Sequence, residues 1–403
     1  MSYELQEARE LVLKAGLELV SSGLIARTWG NISARISDTQ FVITPSGRSY
    51  DSLIPEDIVI VNIKDCSYEG EIKPSGEKAT HAEVYKQRPD VNFVVHTHQL
   101  YASSISIMDS DVTDITDHNT ILGNSIPCAK YAISSSEALA KQVKNSLKKN
   151  PTAKALLLKA HGAVFMGSNY EEAFLASRLT EEICKDRFDY YTSQFLNEAD
   201  REVTVDFGSS YRKDGYIYLT VGDKSASWPM GYASLAKKSD VARELRSTAM
   251  LHDLMYEDPD INYVVHTKSP YTVIVSKLGK GYRPYIDDQC QIIGTDIKCL
   301  SIRTRHGKLR GIRKIKKAID NHSAILLSTG GALCIGHAKD DIEAADMVLE
   351  KGNLAAILAH LIPVIKPVSK KDAAKMRVIY RDSYSKLKDY AVTASTLKEI
   401  DAP

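Results

Sequence analysis

Asp90-Val91-Asn92-Phe93-Val94-Val95-His96-Thr97-His98 recurs 170 positions later as Asp260-Ile261-Asn262-Tyr263-Val264-Val265-His266-Thr267-Lys268. Each copy reads as a strand, and a repeat at this distance suggests a duplicated domain rather than a short solenoid unit. In the second copy one histidine has become lysine. That substitution suggests that one copy can hold a metal ion and the other cannot.

The chain has 403 residues, too many for one ordinary core, so two domains are expected. Hydrophobic residues make up 43% and charged residues 26%, the profile of a soluble globular protein. A net charge of +1 recruits neither nucleic acid nor an anionic membrane. No basic stretch and apolar run open the chain, and no apolar run approaches the roughly 20 residues of a spanning helix. The six cysteines form no C-x-x-C pair and read as reduced thiols, so a cytoplasmic protein is expected.

Outward from the first copy, apolar positions Leu5, Ala8, Leu11, Val12, Ala15 and Leu19 predict a helix over 2–22, ending at Gly23. Phe41-Val42-Ile43 and Ile58 to Val61 are strand-like, and Glu77 to Gln87 is a short helix after Pro74-Ser75-Gly76. Ala155 to Leu158 leads through His161-Gly162 to Ala163-Val164-Phe165-Met166, a buried strand, a glycine turn and a second strand. Tyr170 to Tyr191 is an amphipathic helix. The second half repeats this order: a strand at Ile217 to Val221, a helix from Ser239 to Tyr256, then the repeated strand. Ala324 to Leu327 and Ala332 to Gly336 flank Gly330-Gly331, and a helix runs from Asp340 to Leu358. The polar stretch from Asn197 to Gly215 reads as a linker. The fold class is α/β in both halves.

His96 and His98 stand at i and i+2 of a strand, so both imidazoles leave one face. A lone H-x-H also arises by chance, but His161, in a rigid glycine turn, offers a third ligand. Glu77 alone would pass for an ordinary first-turn carboxylate favoured by the helix dipole. Together, three imidazoles and one carboxylate would fill a tetrahedral zinc shell, and manganese or another divalent metal stays open. Gly30-Asn31-Ile32-Ser33, Thr44-Pro45-Ser46-Gly47 and Pro74-Ser75-Gly76 read as turns whose backbone N–H groups can cradle a phosphate.

Gly30-Asn31-x-Ser33, Thr44-Pro45-Ser46-Gly47, Lys73-Pro74-Ser75-Gly76-Glu77-x-x-x-His81, Val95-His96-Thr97-His98 and Ala160-His161-Gly162, in this order, resemble the class II aldolase/adducin family. Gly123-Asn124-Ser125-Ile126-Pro127-Cys128-Ala129 resembles its fuculose-phosphate aldolase branch. The resemblance implies two tandem α/β/α sandwich domains on mainly antiparallel sheets. These would be a metal-bearing domain over 1–200, a degenerate second domain over 201–370 and a helical tail over 371–403. It also implies Zn2+ held by His96, His98, His161 and Glu77, with Glu77 as general acid/base. A phosphate would lie on Gly30, Asn31, Ser46, Gly47, Ser75 and Gly76. The implied reaction is aldol cleavage of a ketose phosphate or related polyhydroxy ketone through a metal-stabilised enediolate. The alternatives are a decarboxylase or epimerase on a sugar acid or sugar phosphate, and a non-catalytic adducin-like interaction module. A glutamate at position 77 matches the aldolases and dehydratases, whereas aspartate is usual in the epimerases. Two positions depart from the branch: Gly76 replaces a second serine, and Thr116-Asp117-His118 stands where a tyrosine is usual, which leaves a non-phosphorylated substrate open.

Carried across the repeat, Glu77 aligns with Ser247, His96 with His266, His98 with Lys268 and His161 with Gly330. One ligand of four survives, and an ammonium repels the cation it would replace. His266 then reads as a core histidine, with anion binding by His266 and Lys268, or a part in a neighbouring subunit's pocket, as the alternative. The resemblance also implies fourfold rings with sites between subunits, so tandem chains are expected to form a homodimer, a pseudo-tetramer. Tyr380, Tyr384 and Tyr390 could reach such a site from the tail. The basic run from Arg303 to Lys317 reads as a solvated loop and helix face.

Overall fold

The computed structural model describes residues 2–22, 30–115, 119–197, 201–231, 241–305 and 308–384. By their contacts the described residues form two compact units, one up to Tyr191 and one over Thr192–Arg377. In the first unit the elements run α1 (Leu5–Ser21), β1 (Gly30–Arg35), β2 (Gln40–Ile43), β3 (Val59–Asn62), α2 (Lys78–Gln87), β4 (Phe93–Thr97) and α3 (Leu100–Ile105). Then follow α4 (Asn119–Leu122), β5 (Cys128–Ala129), α5 (Glu137–Lys149), β6 (Ala155–Leu158), β7 (Gly162–Gly167) and α6 (Tyr170–Thr192).

The strands form one sheet in the order β3-β2-β1-β4-β7-β6-β5, antiparallel except for the β5–β6 pair. Alternate residues of β4 serve opposite faces. Val94 packs with Phe41, Val61, Val84, Tyr85, Leu139, Val143, Leu156 and Val164, in the layer under α2 and α5. On the opposite face α1 buries Ala8, Val12, Ala15 and Leu19 along β1 and β2. Each such Val, Leu or Phe contributes about 1.5–3 kcal/mol on leaving water. At the opposite end of β1 from Asn31, the guanidinium of buried Arg35 donates to the carbonyls of Tyr85, Arg88 and Val91, fixing the turn from α2 into β4.

The second unit repeats this plan. Its elements are β8 (Ser209–Lys213), β9 (Tyr216–Val221), β10 (Lys224–Pro229), α7 (Arg246–Met255), β11 (Tyr263–Thr267), α8 (Pro270–Lys277) and β12 (Cys299–Leu300). The hairpin β13 (Arg303–Arg305) and β14 (Lys308–Arg310), then α9 (Ile312–Ile319), β15 (Ala324–Leu327), β16 (Ala332–Gly336), α10 (Lys339–Leu361) and α11 (Lys370–Ile379) complete it. The sheet order β10-β9-β8-β11-β16-β15-β12 matches the first position for position, including the parallel pair at the end, β12–β15. The expected sandwich of helices about a mainly antiparallel sheet is therefore present twice.

Several local expectations change. Gly30 to Ser33 is strand, not turn, because β1 pairs with both β2 and β4. The stretch 197–215 contains β8, so it is not only a linker. The polar sequence of β8 hides a strand because its buried residue, Ser210, is held by hydrogen bonds to His252 and Tyr256 rather than by apolar packing. Helix α7 begins at Arg246; Ser239, where a helix was expected to begin, lies outside the described residues. Among the described residues no helix precedes β8 to match α1. Tyr211 and Tyr218, opposite each other as Ala34 and Val42 are in the first unit, stack at 5.1 Å on that open face. Helix α11 is tied to the second unit by Arg377, which donates to the carbonyls of Gln291, Ile292 and Asn321. Tyr380 and Tyr384 bound a short π-helical turn, and Tyr390 lies outside the described residues. In the basic run α9 buries Ile315 and Ile319 and exposes Arg313, Lys314 and Lys317, as a solvated helix face does. All six cysteines are free. Among the described residues no helix is long and apolar enough to cross a membrane.

Candidate metal centre

β4 lies between β1 and β7, with Asn31 and Val164 directly opposite His96. His96 is fully buried, and its Nδ1 lies 2.9 Å from the Ala163 carbonyl. A carbonyl only accepts, so Nδ1 carries the proton and Nε2 presents its lone pair. His98, just past the strand end, brings its Nε2 to 2.9 Å from His96 Nε2. Two ring nitrogens at that distance need a proton or a cation between them.

His161 comes from the turn between β6 and β7. Ala160 adopts left-handed backbone geometry (φ 60°), and its N–H donates to Ser106 Oγ at 3.0 Å. Such a conformation costs a non-glycine residue on the order of 1 kcal/mol and tends to mark functional sites. Gly162 follows because β7 passes very close to β4: a Cβ there would lie 2.3 Å from the Thr97 carbonyl oxygen and 3.2 Å from the His98 ring. The His96 and His161 rings stack at 5.1 Å, and ligand atoms of the three histidines all lie within 4.8 Å of one another.

Glu77 sits at the position before α2 and is buried. Its Oε2 is 2.9 Å from His96 Nε2 and its Oε1 is 3.1 Å from His161 Nε2. Oε1 also accepts from the Ser135 N–H at 3.1 Å, and Ser135, like Ala160, is left-handed (φ 58°). Burial pushes the Glu77 carboxyl up, but His96 and His161 pull it down, and the net position is well below the usual carboxylate range. The donor atoms are thus three imidazole nitrogens and a carboxylate, with nearest separations of 2.9–3.1 Å. Ligands 2.0–2.1 Å from a tetrahedral zinc stand about 3.3 Å apart, a separation within the span of these donor atoms, whose histidine nitrogens lie within 4.8 Å of one another.

The other candidate residues lie along the same end of the sheet. Gly30 pairs with Thr97 and Asn31 with His96. The loops at 44–47 and 73–76 are joined by Ser46 N–H to the Lys73 carbonyl and Ser75 N–H to the Thr44 carbonyl. Gly47 is left-handed (φ 72°), as its turn requires. The Ser75 hydroxyl accepts from the Glu77 N–H, so it helps start α2. Ser33 points into the interior, to His81 and Tyr85. Thr116, Asp117 and His118 lie outside the described residues.

Comparison with known proteins places the chain in a family. The class II aldolase and adducin N-terminal domain family matches residues 10–187 and again 231–358. The chain belongs to the class II aldolase and adducin family. A 5-deoxy-D-ribulose 1-phosphate aldolase of Bacillus thuringiensis is 33% identical over 195 residues, 48% of this chain and 89% of the relative. An L-fuculose phosphate aldolase of Escherichia coli is 34% identical over 177 residues, 43% of this chain and 79% of its own length. A Mycoplasma pneumoniae protein named a probable L-ribulose-5-phosphate 4-epimerase is 31% identical over 196 residues, 45% and 81% of the two chains. Among solved structures, an L-fuculose 1-phosphate aldolase aligns at 25% identity over 48% of this chain and 92% of its own, with a TM-score of 0.43.

In the second class II aldolase unit the same positions are occupied differently. His266 Nε2 donates to the Gly330 carbonyl at 2.8 Å, and its Nδ1 accepts from the Phe207 N–H at 3.2 Å. Both ring nitrogens are therefore used inside the protein. Lys268 makes an ion pair with Asp206 at 2.5 Å, and Asp206 also lies 3.3 Å from His266 Nδ1. The lysine charge is satisfied internally, which speaks for a structural His266 and against an anion site. Buried His252 corresponds to His81, since each bonds a Ser whose hydroxyl also bonds a Tyr. That match puts Thr248, not Ser247, opposite Glu77; the second unit has no carboxylate there in either case. The sequence reading left His81 out of the site, although its recurrence at His252 was the available signal.

Proposed function

We propose that the chain is a divalent-metal-dependent lyase that cleaves a ketose phosphate by aldol chemistry at Glu77, His96, His98 and His161. The observation that carries this is the convergence of the buried Glu77 carboxylate with three imidazoles on one spot at the strand ends. A divalent cation, with zinc the proposed ion, would supply there the charge that stabilises an enediolate when a carbon–carbon bond breaks. Glu77 Oε2 would exchange the proton that the reaction moves between carbon and oxygen, as a general acid/base. The Ala163 and Ser135 backbone groups hold His96 and Glu77 in place before substrate arrives. Gly30, Asn31, Ser46, Gly47, Ser75 and Gly76 would grip the phosphate. The names of the aldolase relatives support a sugar phosphate as substrate, and a homodimer of tandem chains is the proposed assembly.

The test is product analysis on a panel of ketose 1-phosphates with zinc-loaded protein. Release of dihydroxyacetone phosphate and an aldehyde is expected. The 4-epimerase relative gives the rival outcome: a new stereoisomer with no aldehyde released would overturn the lyase reading, as would full activity in metal-stripped protein. A monomeric mass in solution would overturn the assembly.

A further inference from the structure

His81 lies one turn past Glu77 on α2, fully buried. Its Nδ1 is 2.6 Å from Ser33 Oγ, which is 2.7 Å from the Tyr85 hydroxyl, and its Nε2 is 2.5 Å from Asn31 Oδ1. Distances alone do not orient the protons of this chain or the amide of Asn31. The second unit does. There Ser210, His252 and Tyr256 repeat the arrangement at 2.6 and 2.8 Å, but His252 Nε2 faces the Phe207 carbonyl at 2.8 Å. A carbonyl can only accept, so Nε2 carries the proton. Burial holds His252 down to about 4, so the ring is neutral and Nδ1 is an acceptor. Ser210 therefore donates to His252, and Tyr256 donates to Ser210.

His81 is likewise fully buried, and Ser33, with Tyr85 behind it, faces its Nδ1 as Ser210 and Tyr256 do at His252. The proton order carries over. We infer that His81 is a positioning residue, whose Nε2–H holds the Asn31 carboxamide by its oxygen and so turns the amide N–H groups toward an anionic group of the substrate. Asn31 is directly opposite His96 in the β1–β4 pair, so its side chain leaves the same face of the sheet beside the candidate metal centre. Both units keep the buried histidine. The unit with the ligand set puts Asn31 at its outer end, and the unit without it has Gly208 at that position. The inference rests on the phosphate-sugar reading of the site.

The test measures binding of inorganic phosphate to the full chain by calorimetry, together with KM and kcat on a cleaved ketose phosphate. Asn31→Asp keeps the acceptor for His81 but replaces the amide donors with an anionic oxygen. It should weaken phosphate binding and raise KM at least tenfold, with bound metal unchanged. His81→Phe should raise KM with a smaller effect on kcat, His81→Gln should restore most of the loss, and His81→Phe should add nothing in an Asn31→Ala background. Unchanged phosphate affinity in Asn31→Asp overturns the inference, even if His81→Phe fails to fold, and so does additivity in the double variant. Phosphate binding that depends on Asn31 and, non-additively, on His81 in a chain that cleaves no ketose phosphate would uphold it while overturning the lyase reading.

Discussion

His96 Nε2 lies 2.9 Å from Glu77 Oε2, whereas the matching nitrogen of His266 donates to the Gly330 carbonyl. The same strand therefore presents a free ligand lone pair in one unit and a spent one in the other. One equivalent of divalent metal per chain is expected by elemental analysis, not two. His98→Ala should weaken its binding sharply, because one of the four protein ligands is lost. His266→Ala should leave metal content unchanged while costing about 1–3 kcal/mol for the stranded Gly330 carbonyl. Two equivalents in the wild type would refute this asymmetry.

Glu77→Gln tests the carboxylate apart from its shape. The amide can still accept the Ser135 N–H, so the turn at Ser135 should hold. It cannot take up or release a proton at neutral pH, and loss of a general acid/base typically costs about 10²–10⁴-fold in rate. A kcat reduced by that factor, with a folded protein by circular dichroism, is the expected result. A kcat within threefold of wild type would remove Glu77 from the chemistry.

Buried neutral histidines make stability depend on pH. His252 is lowered by burial from 6.5 to about 4 in the folded state. Above pH 6.5 neither state is protonated, so the group contributes no pH dependence there. Below 6.5 the unfolded chain binds a proton that the folded chain refuses, so stability falls as pH drops, levelling off below about 4. The full loss is about 3 kcal/mol by linkage. Urea unfolding between pH 7 and 4 should show it, and His252→Gln, which does not titrate, should flatten the curve.

The fold was legible because the nine-residue stretches that contain β4 and β11 are nearly the same, and their neighbours recur in the same order. The three histidines were legible because each stands beside a recognisable turn or strand end. What the sequence hid is polar burial. β8 looked like linker because Ser210 is held inward by hydrogen bonds rather than by apolar burial, and Gly30 to Ser33 looked like a turn because Gly, Asn and Ser favour turns. The resemblance names Asn31 for a phosphate, but its bond to His81, 50 positions away, is not visible in the sequence. The offset between copies also drifts from element to element, so a constant offset of 170 pairs Glu77 with Ser247 rather than with Thr248.

Gly162 and Gly331 make the last prediction, since each lies where a carbonyl of the His strand leaves no room for a side chain. A Cβ would come within 2.3 Å of Thr97 O in one unit and 2.3 Å of Thr267 O in the other. Alanine at either must push the two strands apart, at a typical overpacking cost of about 1–3 kcal/mol. Gly331 also has φ 92°, a region that penalises alanine further, so Gly331→Ala should be the more destabilising of the two in thermal unfolding. Function should separate them in the opposite sense. Gly162→Ala displaces β7 against the His96 and His98 rings and should weaken metal binding at least tenfold. Gly331→Ala disturbs only the unit without ligands and should leave metal affinity as it was. Equal loss of metal in both variants would mean that the second unit supports the first site, contrary to the asymmetry of His96 and His266.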